Sequence, residues 1–232
     1  MNAPIFLAID TPDVDVAKTW VMATQDHVAG FKLGLEFFSA CGIEGVKQIK
    51  DITSADIFLD VKLHDIPNTV SGAIRQLRQT SPRFLTIHAS GGRAMVAAAV
   101  AAAPEIEIAA VTVLTSLSSH DVSEVGYESS PLDTAVRLAQ LAASSGARAI
   151  VCSPWEISAI RAAIGPDLSI ITPGVRPTTG ERSDDQQRTM APQDAINAGA
   201  TYLVIGRPIT SAWGEGVAAL SERAAVIASQ LK

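Results

Sequence analysis

Eight short apolar runs alternate with segments of helical period along a 232-residue chain, and this pattern predicts an α/β fold, the (β/α)8 barrel. Two further observations support it. The runs are almost continuously apolar, as expected for strands covered by helices on both faces, so parallel pairing is expected. The length also suits the fold, whose usual size is about 250 residues.

The elements follow in order. Residues 5–9 (Ile-Phe-Leu-Ala-Ile) form the first expected strand, and Asp10-Thr11-Pro12-Asp13 leads into a helical segment at 14–25. Further strands are expected at 30–33, 57–61, 84–88, 109–114, 149–152, 169–172 and 202–205, with helices at 70–79, 93–103, 132–144, 155–164 and 217–231. Ser153-Pro154-Trp155-Glu156 reads as a capping box opening the helix at 155–164. Gly146, Gly165 and Gly199 stand where helices should stop, and Gly146-Ala147 and Gly199-Ala200 each lead into a strand. An open doubly wound sheet is the alternative, but no Gly-x-Gly-x-x-Gly follows the first strand. No linker, charge block or change of composition divides the chain, so residues 1–232 are expected to form one domain.

Composition narrows the function. Hydrophobic residues make up 47% of the chain, enough for a large core. A formal net charge of −6 argues against nucleic acid as the main partner, so an anionic substrate would have to meet a local cluster of cations. Cys41 and Cys152 are too few and too isolated for a disulfide framework or a zinc site. The N-terminal residues lack the basic start of a secretory signal, and the longest uncharged apolar run, 94–104, is too short to span a membrane. A cytoplasmic protein without membrane association is expected.

In a barrel of this kind the strands' C-terminal ends form the active-site face. Asp10, Lys32, Asp60, Lys62, Asp65, His88, Thr115, Pro173-Gly174 and Gly206-Arg207 all stand at or just past such ends. The densest cluster is Asp60-Val-Lys62-Leu-His-Asp65. On a strand, residues two apart face the same way, so Asp60 and Lys62 should project together. Opposite charges on the inward face of a buried strand are costly to desolvate, and stability alone rarely calls for them. This segment is therefore the best candidate for the chemistry, with Lys62 a cation held by carboxylates.

In Ala-Ile-Asp10, Phe-Lys32-Leu-Gly, the run from Asp60 to Thr69, Thr-Ile-His88-Ala, Val-Thr-Val-Leu-Thr115-Ser, Thr-Pro173-Gly-Val-Arg176-Pro, Asp185-Gln186 and Ile-Gly206-Arg207-Pro, the chain resembles the bacterial orotidine 5′-phosphate decarboxylase family. The likeness covers nearly the whole sequence, and its elements occur in family order. It implies decarboxylation of orotidine 5′-phosphate to UMP and carbon dioxide in de novo pyrimidine synthesis, without a cofactor or metal. It makes Lys62 the proton donor to C6, with Asp60 beside the substrate carboxylate. It places Asp65, with Ile66 and Thr69, at the site of a neighbouring subunit, and so implies a homodimer, and it counts Pro67 among the substrate-binding residues.

The resemblance further implies that Asp10 and Lys32 bind ribose hydroxyls, that Ser118 contacts the pyrimidine ring with Thr115 at the base of its loop, and that Pro173 shapes the wall. Arg176, Gln186, Gly206 and Arg207 would hold the phosphate. The loop from Arg176 to Gln186 is slightly longer than the bacterial pattern, which leaves Gln186 and Gln187 as alternatives. The segment 175–190 is expected to act as a lid over the phosphate.

Other readings of the same residues remain open at this stage. Asp10 could cap the first helix, and Thr115, Ser116 or Ser118 could cap the next element. Lys62 could be a snorkelling strand-end lysine. His64 and His88 are expected to be satisfied polar histidines rather than metal ligands. A magnesium-dependent keto-sugar phosphate decarboxylase or hexulose phosphate synthase shares Asp-x-Lys-x-x-Asp, but it needs an acid on the second strand, where this chain has Lys32. A phosphate-binding sensor without turnover would have no need of Lys62 between two acids.

Overall fold

The computed structural model describes residues 2–176 and 190–231. Its centre is a closed barrel of eight parallel strands in sequential order, as the alternating pattern predicts. The strands are β1 (Ala3–Ile9), β2 (Val28–Gly34), β3 (Asp56–Leu63), β4 (Phe84–His88), β5 (Glu107–Val111), β6 (Ala149–Val151), β7 (Ser169–Thr172) and β8 (Tyr202–Ile205). Between and after them lie helices α1 (Val14–Thr24), α2 (Leu35–Asp51), α3 (Pro67–Leu77), α4 (Gly92–Ala102), α5 (Ser119–Glu124) and α6 (Pro131–Ser144). These are followed by α7 (Ile157–Ile164), α8 (Pro192–Asn197), α9 (Arg207–Thr210) and α10 (Val217–Ser229).

The strands divide their side chains between two cores. Ile5, Leu7 and Ile9 of β1 face the helices, while Phe6 and Ala8 face the barrel interior. Inside, Phe6, Phe58, Phe84 and Tyr202 pack edge to face, with ring centroids 5.2–5.9 Å apart. Below them Arg83 lies over the Phe84 and Tyr202 rings and pairs with Asp56 at 2.6 Å and Glu107 at 3.3 Å. The N-terminal end of the barrel is thereby filled. On β3 the inward series that begins with Phe58 continues upward to Asp60, so one strand carries both the floor and the charge above it.

The helix boundaries follow local chemistry. Asp13 caps α1, its carboxylate accepting from the Asp15 and Val16 amides at 2.8 and 3.1 Å. Asp10 is therefore not the cap of this helix. Glu156 accepts from the Ser153 amide at 3.0 Å, as the capping box predicts, but the segment opens with a short 3-10 turn before α7. Gly146, Gly165 and Gly199 have φ of 94°, 77° and 112°, which explains why glycine ends these helices. The fifth strand is shorter than the expected 109–114 and stops at Val111. The long α2, absent from the periodicity reading, contains a break at Gly42 (φ 59°) that interrupts its helical pattern. Among the described residues no helix is long and apolar enough to cross a membrane.

Candidate active site

A cavity of about 290 Å³ opens at the C-terminal end of the barrel. Asp10, Lys32, Asp60, Lys62, Thr115, Pro173, Arg176, Gly206 and Arg207 all line it, so residues spread from position 10 to 207 converge on one mouth. Its apolar wall includes Phe58, Val111, Val151 and Val204, which join the barrel core directly to the site.

The charges form an alternating chain. Lys32 Nζ lies 3.2 Å from Asp10 Oδ1 and 3.7 Å from Asp60 Oδ2. Lys62 Nζ donates to both Asp60 oxygens at 2.8 Å. Asp60 is only 8% exposed. Burial opposes its ionisation, but the charges of Lys32 and Lys62, together with hydrogen bonds from Lys62 and Thr86, outweigh burial and hold the carboxyl below its usual range. Asp60 is thus an anion fixed between two cations.

The route by which Asp60 and Lys62 meet differs from a flat strand. Between β3 and β4 the register passes from Leu59↔Leu85 to Leu63↔Ile87, four steps along one strand against two along the other. Lys62 lies within this bulge at φ 47°, an uncommon conformation for a residue with a Cβ. Its amide donates to Thr86 Oγ1 at 2.7 Å, and the Thr86 hydroxyl donates to Asp60 Oδ1 at 3.0 Å. The sequence reading did not single out Thr86, because a threonine in a β-strand is ordinary and the bulge that gives it a task depends on tertiary pairing.

Two glycines make room for the charged groups. A Cβ at Gly34 would stand 2.8 Å from Lys32 Nζ and 3.4 Å from Asp10 Oδ1. One at Gly206 would press on the Ala8 Cβ at 3.1 Å and approach Asp10 Oδ2 at 3.6 Å. Gly206 precedes α9, whose first residue is Arg207, and both border the cavity.

Other expected site residues lie elsewhere. Asp65, Ile66, Pro67 and Thr69 are exposed and do not line this chain's own cavity. Asp65 accepts from the Ile66 amide at 2.6 Å, and Ile66 is 66% exposed. Ser118 caps α5 by exchanging hydrogen bonds with Asp121 at 3.2 and 2.8 Å, and it borders a neighbouring groove with Leu132 and Trp155. Gln186, with Gln187 and most of the expected lid at 175–190, lies outside the described residues.

His88 lies beside His64 with ring centroids 5.3 Å apart and the planes tilted by 38°, and neither ring lines the cavity. Burial first, then the neighbouring His64 and Lys62, lowers the His88 pKa and favours its neutral form. Among the described residues no group of three or more His, Cys, Asp or Glu side chains is arranged to hold a metal ion. Glu36, the acid nearest Lys32 in sequence, is exposed in the first turn of α2 and is not among the cavity residues. Cys152 does line the cavity, but burial pushes its thiol pKa far up and keeps it un-ionised.

The profile of the orotidine 5′-phosphate decarboxylase / HUMPS family matches residues 3–222. The orotidine 5′-phosphate decarboxylase of Thermobifida fusca is 51% identical over 219 residues, 94% of each chain. That of Sphingopyxis alaskensis is 48% identical over 220 residues, 94% of this chain and 97% of its own. Among solved structures, the orotidine 5′-phosphate decarboxylase of Lactobacillus acidophilus superposes with a TM-score of 0.81 at 30% identity, covering 97% of this chain and 99% of the other.

Proposed function

The chain belongs to the orotidine 5′-phosphate decarboxylase / HUMPS family, and from that premise we propose that it decarboxylates orotidine 5′-phosphate to UMP without a cofactor, with Lys62 protonating C6. It is a carboxy-lyase of pyrimidine biosynthesis, the activity named for its curated relatives. The observation that carries the finer reading is the alternating Asp10–Lys32–Asp60–Lys62 chain on the wall of the cavity.

The chemistry follows from that order of charges. As the bond from C6 to the carboxylate breaks, its electron pair stays on C6 and carbon dioxide departs. Negative charge moves from the carboxylate, which Asp60 repels, to a carbon that the Lys62 ammonium stabilises. Preorganised attraction of this kind is worth more inside a site that excludes water than in solution. Lys62 Nζ then gives C6 a proton, leaving a neutral amine that solvent reprotonates. Until that moment both Asp60 oxygens hold the Lys62 ammonium in place.

The remaining groups bind and orient. Asp10 and Lys32 take the ribose hydroxyls, and Thr115 and Pro173 border the pyrimidine, with Ser118 approaching from the adjoining loop. Arg207 presents a planar fork to phosphate oxygens beside the Gly206 backbone, and Arg176 borders the same cavity. Binding energy collected at the phosphate then serves the step at C6. The whole chain, residues 1–232, acts as a single barrel domain in the cytoplasm.

Asp65, Ile66, Pro67 and Thr69 extend into solvent from the loop after β3 and the start of α3. We read them as an arm entering the site of a second copy, which makes the active unit a homodimer with shared sites. Lys32 on β2, where the magnesium-dependent keto-sugar phosphate enzymes need an acid, favours the orotidylate branch of the family. The test follows orotidine 5′-phosphate absorbance with metal-free protein, with and without EDTA. Equal rates are expected. Loss of activity with EDTA, restored by magnesium, would overturn the cofactor-free reading.

A further inference from the structure

Thr86 is fully buried and does not line the cavity, yet it is bonded to both members of the Asp60–Lys62 pair. The register explains its position. Leu59 pairs with Leu85 and Leu63 with Ile87, so Thr86 is the one β4 residue facing the three β3 residues 60–62. A regular ladder cannot serve three residues from one. The Thr86 hydroxyl bridges the gap instead, accepting from the Lys62 amide at 2.7 Å and donating to Asp60 Oδ1 at 3.0 Å. A hydroxyl has one proton to give and lone pairs to receive, and here both capacities are used.

We infer that Thr86 is a positioning residue for the decarboxylation proposed above, holding the Lys62 backbone in its left-handed turn and the Asp60 carboxylate in one orientation at the same time. The inference rests on that reading of the site. Among the described residues Asp60 otherwise faces Lys62 on its own strand and Lys32 on β2, and the Lys62 amide donates to the Thr86 hydroxyl. Loss of the hydroxyl therefore frees the Lys62 turn and leaves Asp60 to two lysine side chains, one of them the group it is meant to fix. Small displacements of a reacting group are costly in rate and cheap in substrate binding.

Thr86→Val keeps the shape and removes the hydroxyl, and Thr86→Ser keeps the hydroxyl and removes a methyl. In Thr86→Val, kcat should fall about 100-fold with KM changed less than about threefold. Thr86→Ser should stay within about fivefold of the unmutated protein. Carboxyl-carbon NMR of the unliganded proteins supplies a second readout. Asp60 should titrate at higher pH in Thr86→Val than in the parent or in Thr86→Ser, because one stabilising donor is gone. Should the valine variant not fold, Thr86→Ala carries the same comparison. A folded hydroxyl-free variant with parental kcat and parental Asp60 titration would overturn the inference, as would a serine variant as impaired as valine. Failure of the decarboxylase reading is seen separately, as an unmutated protein that does not turn over orotidine 5′-phosphate.

Discussion

Asp60→Asn removes the anion from the centre of the charge chain while keeping the side chain's size. At an effective dielectric constant of about 20, Asp60 attracts Lys62 at 2.8 Å by about 6 kcal/mol and Lys32 at 3.7 Å by about 4.5 kcal/mol. Most of this gain is offset by the cost of desolvating the buried carboxylate. Breaking a buried pair commonly costs about 3–5 kcal/mol, but the Lys62 side chain is 28% exposed and can turn partly to water. A net destabilisation of about 2 kcal/mol at neutral pH is expected, lowering Tm by about 4–8 °C for a chain of this size. Turnover should fall by at least about 100-fold.

The pH dependence gives the sharper test. The folded-state pKa of Asp60 lies below its ordinary value of 3.8. Its stabilising contribution is therefore complete above the unfolded value and is lost as pH falls through the lower, folded one. Urea unfolding of the parent and Asp60→Asn, measured from neutral pH down into the acid range, should show a constant gap that closes only below about pH 4. Other carboxylates titrate in both proteins and cancel in the difference. A variant as stable as its parent at neutral pH, or a gap that closes between pH 6 and 8, would refute the view that Asp60 is an anion held between two cations.

Two further outcomes test the periphery of the site. Arg207→Ala should weaken UMP binding by about 100-fold or more while leaving uridine binding within about threefold, measured by calorimetry, because only the phosphate loses a charge-assisted contact; equal losses would rule out phosphate recognition there. Asp65→Ala and Lys62→Ala should each be nearly inactive alone, but co-assembly should restore about a quarter of parental turnover, since half the dimers then carry one intact shared site; no recovery in verified mixed dimers would refute the shared-site arrangement.

The strand ends were the legible part of this sequence. Apolar runs mark where the strands finish, and a parallel barrel brings every such end to one face, so the sequence alone groups Asp10, Lys32, Asp60, Lys62 and Arg207, which line one cavity. Less legible was how two of them meet. Alternation along a regular strand predicts that Asp60 and Lys62 share a face, whereas the bulge and the positive φ at Lys62 set the actual contact. Those features depend on pairing with β4, which no local pattern encodes, and Thr86 was missed for the same reason. Ser118 shows how one residue can hold two roles: the sequence allows both a cap and a ring contact, and in the folded loop its oxygen accepts the cap hydrogen bond from the Asp121 amide. The break in α2 at Gly42 obscured a helix that a longer unbroken period would have revealed.

The central claim is that Lys62 delivers the proton to C6, and the most direct measurement compares the parent with Lys62→Ala under saturating orotidine 5′-phosphate, alongside the affinity of each for UMP. The account predicts that the variant still binds UMP measurably while its carbon dioxide release falls to the background rate. Near-parental turnover in Lys62→Ala would contradict it.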